Sequence, residues 1–290
     1  MMNIYPVVIV YNKSIDNSIT LLNLLKCEIP SSNVLVVDNS TSDFGIDSYC
    51  NEYGYNYLSM HGNKGLSKAY NSAIDFLSGK MKSQDLIMWL DDDTPVTPAY
   101  FELLSITATK CNDCDIFMPI IMGQDGVIYS PNEGGFLRSK FMKAPNEELN
   151  LEKINGINSC LAIRFNVFDN YKYTEDLFMD LTDNQFFDDM RAQKRKFIII
   201  REVIHQNFFQ RGNNVTAANV SKRLKIKYHD FMIYARKKNI FFLCLGLLKC
   251  YAWGVVLAKK TKSLGLLFDC ICWGNENFAK NIFGINRKKI

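Results

Sequence analysis

Short runs of β-branched and aliphatic residues recur along the first half of the chain, and segments with helical spacing follow most of them. "YPVVIVYN" (5–12) is apolar without a break and closed by polar residues, the pattern of a strand buried on both faces. "SITLLNLLKC" (18–27) then spaces its apolar residues three and four apart. "NVLVVDNS" (33–40) predicts a second buried strand ending at Asp38, and "YNYLS" (55–59) a third. In "GLSKAYNSAIDFL" (65–77) Ala69, Ala73, Ile74 and Leu77 share one helical face. "DLIMWLDDD" (85–93) predicts another buried strand, and "PAYFELLSITAT" (98–109) the helix after it. This alternation predicts an α/β fold: a doubly wound, mostly parallel central sheet with helices on both faces.

Beyond Asp115 the pattern loosens. "DIFMPIIM" reads as a strand, "DGVIYSPNEGGF" as a turn-rich hairpin and "NSCLAIRFNVF" as another strand. "LFMDLTDNQFFDDMRAQKRKF" (177–197) reads as an acidic loop entering a helix, and "FIIIREVIHQNF" (197–208) as a last strand. From Val215 the chain reads as helical and basic. Two domains are expected: residues 1–214, and a helical tail over 215–290.

Open sheets of this kind bind ligands outside the carboxyl ends of their strands. Asp38 and the run Asp91, Asp92 and Asp93 fall there. Three adjacent carboxylates repel one another and are hard to solvate beside an apolar run. The D-x-D spacing of Asp91 and Asp93 suits a hard divalent cation that also bridges phosphate oxygens. The plainer alternative is a solvated turn, with Asp93 or Thr94 capping the helix in "PVTPAYFELL".

In "HGNKGLSKAYN" (61–71), Asn63 and Gly65 form a turn before a helix whose free N–H groups suit an anion or a polar sugar. The stretch is neither G-x-G-x-x-G nor a P-loop, which weighs against dinucleotide and ATPase readings. In "FMDLTDNQFFDD", Asp180 or Asp183 is placed either as a general base or as negative charge at a helix start. His205 is either a satisfied strand-end residue or a third metal ligand beside the carboxylates.

Composition narrows the classes. With 48% hydrophobic and 22% charged residues the chain is built to fold, and a net charge of +4 is too small to suggest nucleic acid. The opening "MMNIYPVVIVYNK" lacks the features of a signal peptide, so the nine cysteines read as reduced cytosolic thiols. Cys111 and Cys114 form a lone C-x-x-C without the second pair that zinc needs. The most apolar stretch, "NIFFLCLGLLKCYAWGVVLAKK" (239–260), has Lys249 near its centre and basic residues at both ends. Its length approaches that of a span, but the central lysine favours a helix docked or lying in an anionic membrane surface, ahead of core packing and of a true span.

Taken in order, "VVIVYN", "VLVVDNSTSD", "NKGLSKAYNSAI", "LIMWLDDD" and "LFMDLTDNQFFDDMR" resemble the family 2 glycosyltransferases of GT-A fold. The closest resemblance is to the bacterial rhamnosyltransferase and galactofuranosyltransferase-like branch. It covers roughly residues 5–210.

The resemblance implies an inverting, metal-dependent transferase that moves a sugar from a UDP- or dTDP-linked donor to a glycan hydroxyl. The acceptor would be lipid-linked, in bacterial surface polysaccharide synthesis, with the enzyme cytoplasmic and peripheral at the inner face of the membrane. Tyr11, Asn12, Asp38, Asn63, Gly65, Asn71, Asp91 and Asp92 would bind the donor. Asp91, Asp93 and His205 would hold Mg²⁺ or Mn²⁺, and Asp183 would be the base, with Asp180 as substitute. Two positions depart from the family pattern: Asp92 stands where rhamnosyl enzymes often have Gln, and Asn184–Gln185 follow Asp183 where an acidic residue is usual. The alternative reading is a noncatalytic nucleotide-sugar-binding partner of a synthesis complex.

Overall fold

The computed structural model describes residues 2–208 and 217–283. It falls into two compact units, one of residues 2–173 and 186–208, the other of residues 174–185 with the C-terminal helices. The expected domain boundary at 214/215 lies outside the described residues. Residues 174–185, expected in the first domain, cluster with the helices of the second unit.

The first unit is built on an eight-stranded sheet. Its first strands are β1 (Ile4–Val10), β2 (Leu35–Asp38), β3 (Asn56–Ser59) and β4 (Leu86–Asp91). β5 (Ile116–Gly123) and β6 (Ile128–Ser130) follow, and after three short strands, β7 (Asn132–Glu133), β8 (Lys140–Phe141) and β9 (Ile154–Asn155), the chain returns to the sheet with β10 (Ala162–Arg164) and β11 (Phe197–Gln206). The order is β11-β5-β10-β4-β1-β2-β3, with β6 on β5. Pairing is parallel from β4 to β3 and between β11 and β5; β10 runs antiparallel to both its neighbours. β7, β8 and β9 make a separate small sheet.

The helices are α1 (Ile19–Leu24), α2 (Ile46–Tyr53), α3 (Leu66–Leu77), α4 (Pro98–Lys110) and α5 (Thr182–Ala192), followed in the C-terminal region by α6 (Ala217–Lys238), α7 (Ile240–Thr261) and α8 (Leu264–Phe283). Alternate strand residues face opposite sides of a sheet, so unbroken apolar strands need cover on both. Val8, Val10, Val36, Met88 and Leu90 face α1, α2 and α4, meeting Leu21, Ile46, Cys50, Tyr100 and Leu104. Val7, Ile9, Leu35, Val37 and Trp89 face the other way, where α3 gives Ala69, Ala73, Ile74 and Leu77, and Phe186, Phe187 and Met190 of α5 join them. Each fully buried side chain of this kind contributes about 1.5–3 kcal/mol. The expected face of α3 is the face that is buried.

Two local readings are revised, and one helix went unread. α2 has no apolar stripe, burying only Ile46 and Cys50 before it ends at left-handed Gly54 (φ 68°). The expected hairpin over "DGVIYSPNEGGF" divides, because β6 pairs back on β5 while β7 leaves for the small sheet. "NSCLAIRFNVF" is strand only over Ala162–Arg164, then turns as a 3-10 helix that buries Phe165, Val167 and Phe168.

Arg164 locks this corner. The residue is 2% exposed, and its guanidinium donates to four backbone carbonyls, Cys114 (3.0 Å), Gln84 (2.9 Å), Cys111 (3.3 Å) and Ala108 (2.7 Å), and to the Met2 sulfur (3.6 Å). Ala108 and Cys111 belong to the carboxyl end of α4, where a cation meets the negative end of the helix dipole.

In the second unit α6, α7 and α8 pack through small residues. Gly254 lies so close to α8 that an added Cβ would stand 2.8 Å from the Cβ of Cys270. The buried positions of α7 are Leu243, Gly246, Cys250, Gly254 and Ala258, a stripe along one side. Lys249 rests over the rings of Phe231 (4.8 Å) and Trp253 (5.0 Å).

Candidate active site

The chain runs from β1 outward to β3 and returns to β4 on the other side of β1, so strand order reverses there. Such a reversal opens the crevice in which α/β sheets take ligands. Register places Asp38 beside Val10 and Asp91 beside Ile9, at one edge of the sheet.

Tyr11 and Asn12 leave β1 at this edge, and Tyr11 is exposed. Asn12 adopts φ 48°, a left-handed conformation that asparagine tolerates. Its N–H donates to Ser40 Oγ (3.0 Å), and its Oδ1 accepts from the N–H of Thr41 (2.8 Å). Asp38 accepts from the Ser40 N–H (3.0 Å) and the Tyr57 hydroxyl (3.0 Å). Asn39 Nδ2 donates to Asn63 Oδ1 (3.2 Å), and Asn39 Oδ1 accepts from the Lys64 N–H (2.8 Å). Asn63 Oδ1 also accepts from Gly65 N–H (3.1 Å), and Gly65 (φ 87°) opens α3. Asn12, Asp38, Asn63 and Gly65 are thus brought together in one polar seam. Asn71 is buried deeper along α3 and holds the backbone of Tyr173.

The turn after β4 carries the remaining carboxylates. It is pinned from below by Ser18 Oγ, which donates to the Asp92 carbonyl (2.9 Å), and by Thr20 Oγ1, which accepts from the Thr94 N–H (2.8 Å). Lys13 Nζ pairs with Asp92 Oδ1, and the Tyr11 N–H points to Asp92 Oδ2 (3.4 Å). Gln206 Nε2 lies 3.4 Å from Asp93 Oδ1. Desolvation and the Asp92 charge push the Asp93 carboxyl upward, while Lys13 and Gln206 pull it back. Asp93 is exposed by area, so water screens much of this, and the carboxylate belongs to a rim and not to an interior.

Neither Asp93 nor Thr94 caps α4; Thr97 does, its Oγ1 accepting from the Tyr100 N–H at 3.2 Å. The capping alternative therefore leaves the three carboxylates unexplained. His205 is exposed on β11, and the neighbour that reaches Asp93 is Gln206. Among the described residues no three His, Cys, Asp or Glu gather as a metal site. The rim supplies hard carboxylate oxygens, so a Mg²⁺ or Mn²⁺ ion here would need phosphate oxygens or water to complete its shell, as Mg²⁺ normally does.

In the second unit Asp183 stands in the first turn of α5. Desolvation lifts its carboxyl to about 6, with the Asp180 charge adding to the rise and Arg223 opposing it. Asp180 is also raised by burial, although Arg223 Nη2 donates to its Oδ1 at 2.9 Å. Arg223 Nη1 stands 2.8 Å from Asp180 Oδ2, at ion-pair distance without hydrogen-bond alignment. Asp230 of α6, fully buried, accepts from the N–H groups of Phe178 (3.0 Å), Met179 (2.7 Å) and Asp180 (2.7 Å). A carboxyl raised to about 6 at the start of a helix whose lead-in loop is held this way has the properties of a general base working at neutral pH.

Residues 7–172 match the family model for glycosyl transferase family 2. The chain belongs to glycosyl transferase family 2. Solved structures with its fold include S. aureus TarS 1–349, at 14% identity and TM-score 0.55, covering 97% of this chain and 81% of that one. A second structure of that fragment, in complex with UDP, gives 13% identity and TM-score 0.50, covering 99% and 92%. A mannosyltransferase from Pyrobaculum calidifontis in complex with GDP-Man and Mn²⁺ gives 13% and 0.54, covering 98% and 88%. No curated protein sequence matches. This glycosyltransferase has the GT-A architecture, and its class of reaction is glycosyl transfer.

The sequence reading missed Lys13, Asn39, Gln206, Arg223 and Asp230. For Asp230 there was a usable sign: it is an acid set among apolar residues in "YHDFM", with Tyr228, Phe231 and Met232 all buried around it. Nothing in the sequence distinguishes Lys13 or Arg223 from other surface cations.

Proposed function

We propose that this family 2 glycosyltransferase transfers a sugar, with inversion, from a UDP- or dTDP-linked donor to a hydroxyl of a lipid-linked glycan in bacterial surface polysaccharide synthesis. The observation that carries the reading is Asp183: a carboxyl lifted to about 6 accepts a proton readily near neutral pH. Asp183 takes the proton of the acceptor hydroxyl as that oxygen attacks the anomeric carbon from the side opposite the leaving nucleotide, and a single displacement of this kind inverts configuration. Asp180 is the alternative base.

On the donor side, Tyr11, Asn12, Asp38, Asn63 and Gly65 bind base, ribose and phosphate through the polar seam at the strand ends. UDP in one TarS structure and GDP-Man with Mn²⁺ in the mannosyltransferase support a nucleotide-diphosphate donor on this architecture. Asp91 and Asp93 would hold Mg²⁺ or Mn²⁺, with exposed His205 as the remaining candidate ligand. Such an ion supplies positive charge to the departing diphosphate.

In this reading the enzyme is cytoplasmic and peripheral, at the inner face of the membrane, and the basic C-terminal helices are what would bind there. α7 is long and apolar enough to cross a bilayer by length and composition, and most of it is not buried within the protein. Ile240, Phe241, Leu248, Val255 and Val256 of α7 are exposed, as are Leu264, Phe268 and Ile271 of α8. Lysines 259, 260 and 262 at the end of α7 suit anionic headgroups.

The test is a thermal-shift panel of UDP, dTDP, GDP and CDP with and without Mn²⁺, on the wild type and on Asp93→Ala, followed by turnover of the matching nucleotide sugars. Metal-dependent stabilisation by one nucleotide, lost in Asp93→Ala, with release of that nucleotide on turnover, supports the proposal. Metal-dependent binding without turnover of any donor fits the noncatalytic alternative instead.

A further inference from the structure

Outside the groups already given a role, the most constrained polar arrangement is the one around Asp230. Its carboxylate is fully buried, a costly state unless both oxygens are satisfied. Oδ1 accepts from the Phe178 N–H (3.0 Å) and lies 2.9 Å from His229 Nδ1; Oδ2 accepts from Met179 and Asp180 (2.7 Å each). Three consecutive backbone donors converge on one side chain that is fifty residues away in sequence.

The next residue, Leu181, has φ 62°. A leucine in the left-handed region is strained, and such conformations persist only where the surroundings impose them. That single left-handed residue turns the chain from the clamped segment into α5, whose first turn presents Asp183. The Asp180 carboxylate, at the end of the clamp, is held in turn by Arg223 of the same helix as Asp230.

We infer that Asp230 is the positioning residue for the base: its buried carboxylate clamps residues 178–180, enforces the left-handed turn at Leu181 and so fixes where Asp183 presents its oxygens. The inference rests on the reading of Asp183 as base. It gives α6 a share in catalysis beyond any role at a membrane. Proton transfer depends steeply on placement, since a displacement of about 1 Å costs roughly 100-fold in rate.

The experiment uses the full chain in two arms. In the first, amide hydrogen exchange is measured in the wild type and in Asp230→Asn, which keeps size but puts an amide where a carboxylate took three N–H groups. The N–H groups of 178–180 should exchange slowly in the wild type and fast in the variant, with β1 and β4 protected in both. In the second, release of free nucleotide is followed with UDP-glucose, UDP-galactose, UDP-N-acetylglucosamine, dTDP-rhamnose and GDP-mannose. For whichever donor is turned over, Asp230→Asn should lose kcat by tenfold or more at unchanged KM.

Fast exchange at 178–180 in the wild type overturns the inference, and does so even if the variant fails to fold. Undiminished kcat in Asp230→Asn overturns it as well. Asp183→Asn is the separate control. If that variant keeps full turnover, the base assignment falls, while the exchange arm still decides whether the clamp exists.

Discussion

Asn71 of α3 and the backbone of Tyr173 exchange two hydrogen bonds, Nδ2 to the carbonyl at 3.0 Å and N–H to Oδ1 at 2.9 Å, across 102 residues of sequence. Both are buried, so this amide, expected from its motif at the donor, is committed to holding α3 against the end of the first unit's longest segment. Asn71→Ala should therefore act on stability. Each buried group left without its partner costs about 1–3 kcal/mol, which a urea melt will read as a lower midpoint. Binding of UDP or dTDP to the protein that remains folded should be little changed.

The acid side of the activity profile reports on Asp183. Its carboxyl must be ionised to act, so kcat/KM should rise with pH through about 6. Asp180→Asn removes a negative neighbour and should move that limb to lower pH. Arg223→Gln removes a cation that lowers Asp183 and should move it to higher pH. Asp183→Asn should lose roughly 10²–10⁴-fold in rate.

Stability runs the opposite way with pH. A carboxyl whose folded pKa is raised favours folding below the unfolded value near 4, and this contribution is lost as pH rises through about 6. Asp183→Asn should then be more stable than the wild type at pH 7 to 8 and nearly equal at pH 4, as differential calorimetry at the two pH values will show.

Lys13 and Gln206 restrain the rise in Asp93. Lys13→Met should push the Asp93 carboxyl further up, and Mn²⁺-dependent nucleotide binding should then fail at a higher pH than in the wild type. Titration of the thermal shift from pH 5 to 8 checks this, and Gln206→Leu should move it the same way by less.

If α7 and α8 lie on an anionic surface, the full chain should sediment with phosphatidylglycerol vesicles and much less with phosphatidylcholine vesicles. Charge reversal at Lys259 and Lys260 should release it as salt does. Phe241→Ser with Val256→Ser should weaken binding to both vesicle types. Equal binding of all variants would argue that the helices hold lipid by some other face.

What could be read in the sequence divides along physical lines. β1, β2 and β4 are buried on both faces, so their composition alone betrays them, and α3 shows its buried face because one side of it meets solvent. α2 escaped because two buried residues are too few for a period, and β10 because three strand residues lead straight into a 3-10 turn. The site divides likewise. Asp38, Asn63 and the carboxylate run are continuous with strands and turns that locate them. Gln206 matters only through Asp93, 113 residues away, and Asp230 only through residues 178–180. Partnerships across such separations leave no local trace, and only the fold discloses them.

The uncovered side chains of α7 and α8 also govern how the protein behaves as a solute. With Phe241, Leu248, Val256, Leu264 and Phe268 facing water, these helices carry an apolar patch that water alone disperses poorly. Free copies in plain buffer will cluster reversibly as concentration rises, and a mild detergent below denaturing strength will dissolve the clusters. Apparent particle mass in such samples therefore measures crowding and additive, and an assay run without amphiphile samples only whatever fraction of molecules stays dispersed.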